Sequence, residues 1–127
     1  MSHMGDMADR PVDALLPGRV GLFVRLECAE GNRPAILDVL NRYVDGLDSE
    51  PGTEVFLLAL DPEDEGVVWL FEWFTDEAGL EAHRESPMFA EMMAEMPPLL
   101  VQPPGILRID PLRLHMRTSV LAASDNL

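Results

Sequence analysis

His83 is the one histidine set inside the patterned part of the sequence; His3 and His115 fall near its ends. An imidazole with an ordinary pKa of about 6.5 can take or give a proton at neutral pH, so this residue is the first candidate for acid–base chemistry, a catalytic proton carrier. Apolar and flat side chains stand around it in the sequence: Trp69, Phe71 and Trp73 at alternate positions, Leu80 one turn before it, Phe89 and Met92 after it. Large apolar walls with one or two polar groups are the usual lining of a small-molecule site. Tyr43 and Arg84 supply donors suited to a substrate's oxygens. By strand parity Trp69, Phe71 and Trp73 share one face, and if helices cover that face they line a pocket with His83, Leu80 and a methionine stripe. The alternative is a helix histidine bonded to a backbone carbonyl, with the tryptophans serving as core.

Other chemistries find little support. Cys28 is the single cysteine, which excludes an internal disulfide and a multi-cysteine zinc site; its apolar flanks point to packing. His83, His115 and the acids lack ligand spacing such as His-x-x-x-His, so no metal is expected. No glycine-rich phosphate loop, nucleophile elbow or triad order is present. With 23 acidic against 9 basic residues the net charge is -14, a field that repels phosphate backbones and anionic lipid, so neither nucleic acid nor a membrane is an expected partner. No apolar run nears the roughly 18 residues that span a bilayer, and the start lacks a basic segment followed by an apolar one, so a cytoplasmic location is expected.

These residues need a scaffold. A chain of 127 residues, 47% hydrophobic and 25% charged, suits one folded domain. Met1-Ser2-His3-Met4 resembles an expression-vector remnant, and residues 1–18, with Pro11 and Pro17, read as a flexible arm. Val20, Leu22, Val24 and Leu26 alternate with Gly21, Phe23, Arg25 and Glu27, the period of a strand. Pro34 suits a first helical turn, and Ile36, Leu37, Leu40, Val44 and Leu47 mark an amphipathic helix that Glu50-Pro51-Gly52 ends. Residues 55–60 and 67–74 are short, apolar and aromatic, two strands joined by a polar turn at 61–66 into an antiparallel hairpin. Thr75 or Asp76 caps a second helix bearing Leu80 and His83, and Ser86-Pro87 caps a further piece in which Phe89, Met92, Met93 and Met96 form an apolar stripe stopped by Pro97-Pro98. Residues 106–109 read as a last strand. The order β-α-β-β-α-β predicts a ferredoxin-like α+β domain over residues 19–112, with helices on one face of an antiparallel sheet and a tail at 113–127.

Two helices cover one face of a four-stranded sheet, yet the middle strands are apolar on both sides: Val67, Trp69, Phe71 and Trp73 point one way, Val68, Leu70 and Phe74 the other, with Glu72 the sole charge. Such a bare apolar face exceeds what monomers usually tolerate. A homodimer paired face to face is expected, an α/β barrel of two chains; the alternative is that the C-terminal tail folds across the same face.

Glu50-Pro51-Gly52-Thr53, Phe71-Glu72-Trp73, Asp76-Glu77-Ala78, Leu80-Glu81-Ala82-His83 and Ser86-Pro87-Met88-Phe89 together resemble the antibiotic biosynthesis monooxygenase domain family over residues 19 to 111. The resemblance implies a ferredoxin-like fold that dimerises into an α/β barrel. It leaves activity open among oxygenases that use no cofactor, quinol oxygenases, haem-degrading enzymes and a small-sugar isomerase. The Asn, Trp and His of the haem-degrading members fall here near Val24, at His83 and at Met93, so that constellation is missing, whereas Trp73 matches an aromatic position of the oxygenases. The expectation from the residues is a monooxygenase needing no flavin or metal: His83 removes a proton from a small quinol- or anthrone-like aromatic, and the anion reacts with O₂ while Trp69 and Trp73 stack on the flat substrate between the apolar walls. The alternative is a dimeric binder of a small hydrophobic ligand, or a stress-associated protein of this fold, without catalysis.

Overall fold

The structure is a computed structural model that describes residues 11–121. The suspected vector remnant at residues 1–4 and the tail's residues 122–127 lie outside the described residues. In chain order the elements are β1 (Pro11–Leu15), β2 (Val20–Glu27), α1 (Arg33–Asp45), β3 (Thr53–Leu60), β4 (Val67–Phe74), α2 (Glu77–Glu85), α3 (Pro87–Glu95), β5 (Gly105–Ile109) and β6 (Arg113–Arg117), with short 3-10 turns at Leu47–Ser49 and Pro97–Leu99. They fall into two compact units, residues 18–110 and the two flanking segments together. Among the described residues no helix is long and apolar enough to cross a membrane.

The larger unit is the ferredoxin-like α+β fold, built on an open antiparallel sheet of order β3-β4-β2-β5 that does not close into a barrel. Local chemistry sets its helices. The Asp76 carboxylate accepts the Gly79 N–H at 2.7 Å and starts α2; the Ser86 hydroxyl accepts the Phe89 N–H at 3.1 Å and starts α3, with Pro87 in its first turn. Pro97 and Pro98 lack the N–H that would continue α3, and a 3-10 turn follows.

The register decides which side chains face the helices. Val20 lies opposite Phe74, Leu22 opposite Glu72 and Val24 opposite Leu70. The apolar ones among these, with Leu26 and Val68, pack against Ile36, Leu40 and Leu80 from the helices, all nearly or fully buried, each such side chain contributing about 1.5–3 kcal/mol through burial. Trp69, Phe71 and Trp73 therefore occupy the opposite face, which corrects their expected place beneath the helices. On that face Phe71 stacks with Phe23 at 4.7 Å and meets Trp73 edge-on at 5.9 Å, while the Arg25 guanidinium sits 5.9 Å from the Trp69 ring. Both indoles are anchored, Trp69 Nε1 donating to Asp61 at 2.9 Å and Trp73 Nε1 to Glu54 at 2.8 Å.

The smaller unit differs from the expected arm and tail. β1 and β6 form a two-stranded antiparallel ribbon with Pro11 opposite Arg117 and Leu15 opposite Arg113. Asp13 bonds Arg113 Nε at 2.8 Å and His115 Nδ1 at 3.2 Å, and these partners hold its carboxyl down to about 2. Val12 and Ala14 lie opposite Met116 and Leu114, so these apolar residues share one face of the ribbon, while the other carries Asp13, Arg113, His115 and Arg117 together with Pro11 and Leu15. Five-residue alternations next to prolines are too short to stand out in sequence, and here each strand is completed by a partner about a hundred residues away.

Candidate active site

α2 and α3 leave a cavity of about 180 Å³ against the sheet. Leu22, Val24 and Leu70 rise from the strands, Leu80, Phe89 and Met92 descend from the helices, and among the described residues His83 and Glu72 are the acid–base groups on its walls. Arg84 stands at the lip, its guanidinium 3.6 Å from Glu81.

A close backbone approach fixes this geometry. At Gly52 an added Cβ would lie 2.8 Å from the Gly79 Cα, so only glycine lets the entry to β3 touch the first turn of α2. The Thr75 N–H closes the same junction by donating to the Gly52 carbonyl at 3.0 Å. Two residues before Gly52 stands Glu50, and one helical turn after Gly79 stands His83; the contact brings them together.

Glu50 is 6% exposed and its carboxylate accepts from four groups: Tyr43 hydroxyl, Thr53 hydroxyl and His83 Nδ1, each at 3.0 Å, and Ser86 hydroxyl at 2.9 Å. Burial pushes its pKa up, but the bonds from His83, Ser86, Tyr43 and Thr53 together outweigh that and hold the carboxyl below its ordinary range, so Glu50 is an anion at neutral pH. Tyr43 is the reverse case: burial, with Glu50 beside it, drives the phenol far above its ordinary range, so it stays protonated and donates. Since the Tyr43 proton goes to Glu50, the Tyr43 oxygen at 2.7 Å can only accept from His83 Nδ1. The hydrogen-bond pattern thereby assigns the His83 proton to Nδ1 and leaves the Nε2 lone pair facing the cavity. Burial lowers the His83 pKa, an effect that Glu50 partly offsets and Arg84 adds to; the ring is a neutral base at pH 7.

Facing that lone pair, Glu72 Oε1 lies 3.8 Å from Nε2. Glu72 is 5% exposed, and burial first, then the Glu50 charge, pushes its carboxyl up to about 7.

The structure thus gathers His83, Leu80, Arg84, Phe89 and Met92 at one cavity and sets Tyr43 behind His83, whereas Trp69, Phe71 and Trp73 line the other side of the sheet. Sequence reasoning missed Glu50 and Glu72 as site groups. The signal for Glu72 was its being the sole charge in an apolar strand; for Glu50 there was none beyond its place in the Glu50-Pro51-Gly52-Thr53 turn.

An open antiparallel sheet, helices on one face, and a histidine with two carboxyls buried between them define a ferredoxin-like α+β protein with acid–base groups set beside an apolar cavity. The family model for antibiotic biosynthesis monooxygenase matches residues 19–95, and the chain belongs to that family. Among solved structures, the Rv0793 protein of Mycobacterium tuberculosis is 26% identical with a TM-score of 0.68, the match covering 74% of this chain and 95% of that one. The NE2512 protein of Nitrosomonas europaea, described as of unknown function, is 32% identical with a TM-score of 0.64, covering 72% and 86%. A Chloroflexus aurantiacus protein provisionally named antibiotic biosynthesis monooxygenase is 25% identical with a TM-score of 0.65, covering 73% and 92%. No curated protein matches the chain.

Proposed function

We infer that this protein is a monooxygenase that oxidises a small quinol- or anthrone-like aromatic with O₂, and that His83 is its catalytic base. The observation that carries the reading is the Glu50–Tyr43–His83 arrangement, which turns a buried imidazole so that its free lone pair opens into an apolar cavity. A phenol or an activated ring CH₂ bound there loses a proton to Nε2, and the electron-rich anion left behind reacts with O₂ directly. Leu80, Phe89 and Met92 provide apolar walls that exclude water from the oxygenated product; Arg84 at the lip supports a substrate oxygen. The Glu50 carboxylate holds the ring's tautomer and stabilises the imidazolium formed during the transfer. The family's name and the provisional name of the Chloroflexus relative support oxygenation as the reaction type. Oxygen-electrode measurements with anthrone and hydroquinone test it: uptake is expected with wild type and a loss on the order of 10²-fold with His83→Ala. Undiminished uptake by that variant, or none by wild type on either substrate, refutes the reading.

The working unit in this reading is a homodimer joined through the bare sheet face. Leu57 and Leu107 there are 54% and 63% exposed, and Phe23 is 39% exposed, a continuous apolar surface with the Phe71 ring that suits a second copy of itself. Leu57→Asp is expected to convert a sedimenting dimer into a monomer; a wild type that sediments as a monomer refutes this part.

A further inference from the structure

Glu72 is a residue whose position nothing structural requires. It sits mid-strand in β4 between Phe71 and Trp73, faces Leu22 of β2 and Phe56 of β3 across the ladder, and shares its side of the sheet with Leu70 and Phe74. An apolar side chain would fill that place at no electrostatic cost, whereas burying a carboxyl without partners is strongly unfavourable. Glu50, equally buried, has four donors around it. Glu72 has no hydrogen bond among the described residues, and its nearest polar contact is His83 Nε2 at 3.8 Å. That gap is too long for a hydrogen bond between them. It is the right span for one ligand oxygen to bond both groups at close to a right angle. The carboxyl is aimed into the cavity, its partner missing from the chain itself.

We propose that Glu72 is a second catalytic residue, a carboxylic acid that protonates the peroxide formed from the substrate in this cavity and so completes its conversion to a carbonyl. The proposal rests on the functional reading above. For an activated CH₂ the steps balance as follows. His83 Nε2 takes the first proton, and the carbanion passes one electron to O₂; the two radicals couple, forming a C–O bond and a terminal peroxide anion. The Glu72 O–H gives its proton to that terminal oxygen, leaving a hydroperoxide and a Glu72 carboxylate. The carboxylate then removes the second proton from the same carbon. The C–H electron pair becomes the second bond of C=O, the O–O bond breaks, and the departing hydroxide takes the proton held on His83 as water. One oxygen atom enters the product, the other becomes water, and both residues return to their starting forms. A carboxyl that titrates near neutrality, as burial makes this one do, can both give and retake the proton.

The step separates oxygen uptake from product formation, which gives the test. With anthrone as probe, O₂ uptake, anthraquinone and quenched peroxide are measured for wild type, Glu72→Gln, Glu72→Met and His83→Ala. The two Glu72 variants are expected to take up O₂ at rates within a few-fold of wild type while anthraquinone per O₂ falls on the order of 10²-fold and peroxide accumulates in its place. Glu72→Met suits the apolar walls and guards against a defect peculiar to the amide. Wild-type anthraquinone per O₂ in both variants overturns the proposal while leaving His83 in place. Parallel loss of uptake and product overturns it too, since Glu72 would then act before oxygen binds. Peroxide accumulation in the Glu72 variants beside undiminished uptake in His83→Ala upholds Glu72 and refutes the role given to His83. No uptake by wild type removes the functional reading and this proposal with it.

Discussion

Replacing Glu72 by Gln should make the protein more stable, by an amount that grows as pH rises above about 4.5 and levels off above about 7. The group's pKa rises on folding from an ordinary 4.5 to about 7, so between those values the native state holds a proton that the unfolded chain has released. Its contribution is fully present below about pH 4.5 and is lost as pH rises through about 7. At about 1.36 kcal/mol per pH unit the displacement corresponds to about 3 kcal/mol. Glutamine has the same shape, is neutral at every pH and breaks no hydrogen bond, because Glu72 makes none among the described residues; the groups facing it, His83 Nε2 at 3.8 Å and Glu50 beyond it, are unchanged. Urea unfolding of both proteins at one fixed concentration should therefore give nearly equal stabilities at about pH 4 and a variant more stable by about 3 kcal/mol at about pH 9, a rise of about 10 °C in Tm. The buried neighbours of Glu72 make the sign unambiguous: ionisation there is penalised first by burial and then by the Glu50 charge. A stability difference that stays constant between the two pH values would refute the claim that this carboxyl is held protonated by its surroundings.

Gly52→Ala pushes a methyl group to 2.8 Å from the Gly79 Cα, where backbone meets backbone; the expected cost is about 1–3 kcal/mol by denaturant titration, together with reduced oxygen uptake as α2 shifts away from Glu50. Stability and activity both unchanged would show that the junction is not what sets the His83–Glu50 distance. Trp73→Phe removes the Nε1 bond to Glu54 on the side of the sheet away from the cavity; about 1 kcal/mol of stability should be lost while turnover stays within about twofold of wild type. A fall in turnover of on the order of tenfold would place Trp73 in the reaction after all.

The fold was largely readable from the chain because its signals are local. The alternation over Val20–Glu27, the apolar run Val67–Phe74 and the caps Asp76 and Ser86 each lie within a few residues and each is where the strands and helices begin or end. The side of the sheet on which the helices rest was not readable from β4, which is apolar on both faces. That choice is made by pairing: Leu22 opposite Glu72 joins β4's even-numbered residues to the cleaner apolar stripe of β2, and a one-residue slip would have reversed it. The same holds for the site. His83 carries its chemistry in its own side chain and could be picked out alone. Glu50 lies 33 residues away from it and becomes its partner only through the Gly52–Gly79 contact. Glu72 looked like an interruption of a strand until its surroundings showed that the interruption faces the cavity.

The ribbon of β1 and β6 places Pro11 directly across from Arg117, and paired Cα atoms in such a ladder are only about 5 Å apart. With residues 1–10 and 118–127 cut away, a turn of two or three residues would be enough to tie these strands into a continuous hairpin, so that the chain could be opened elsewhere, for instance in the exposed turn around Glu63 and Asp64. The strand pairing thus suits circular permutation: β4 would become the first strand and β3 the last of a reordered chain, with the 18–110 unit's ladders all retained.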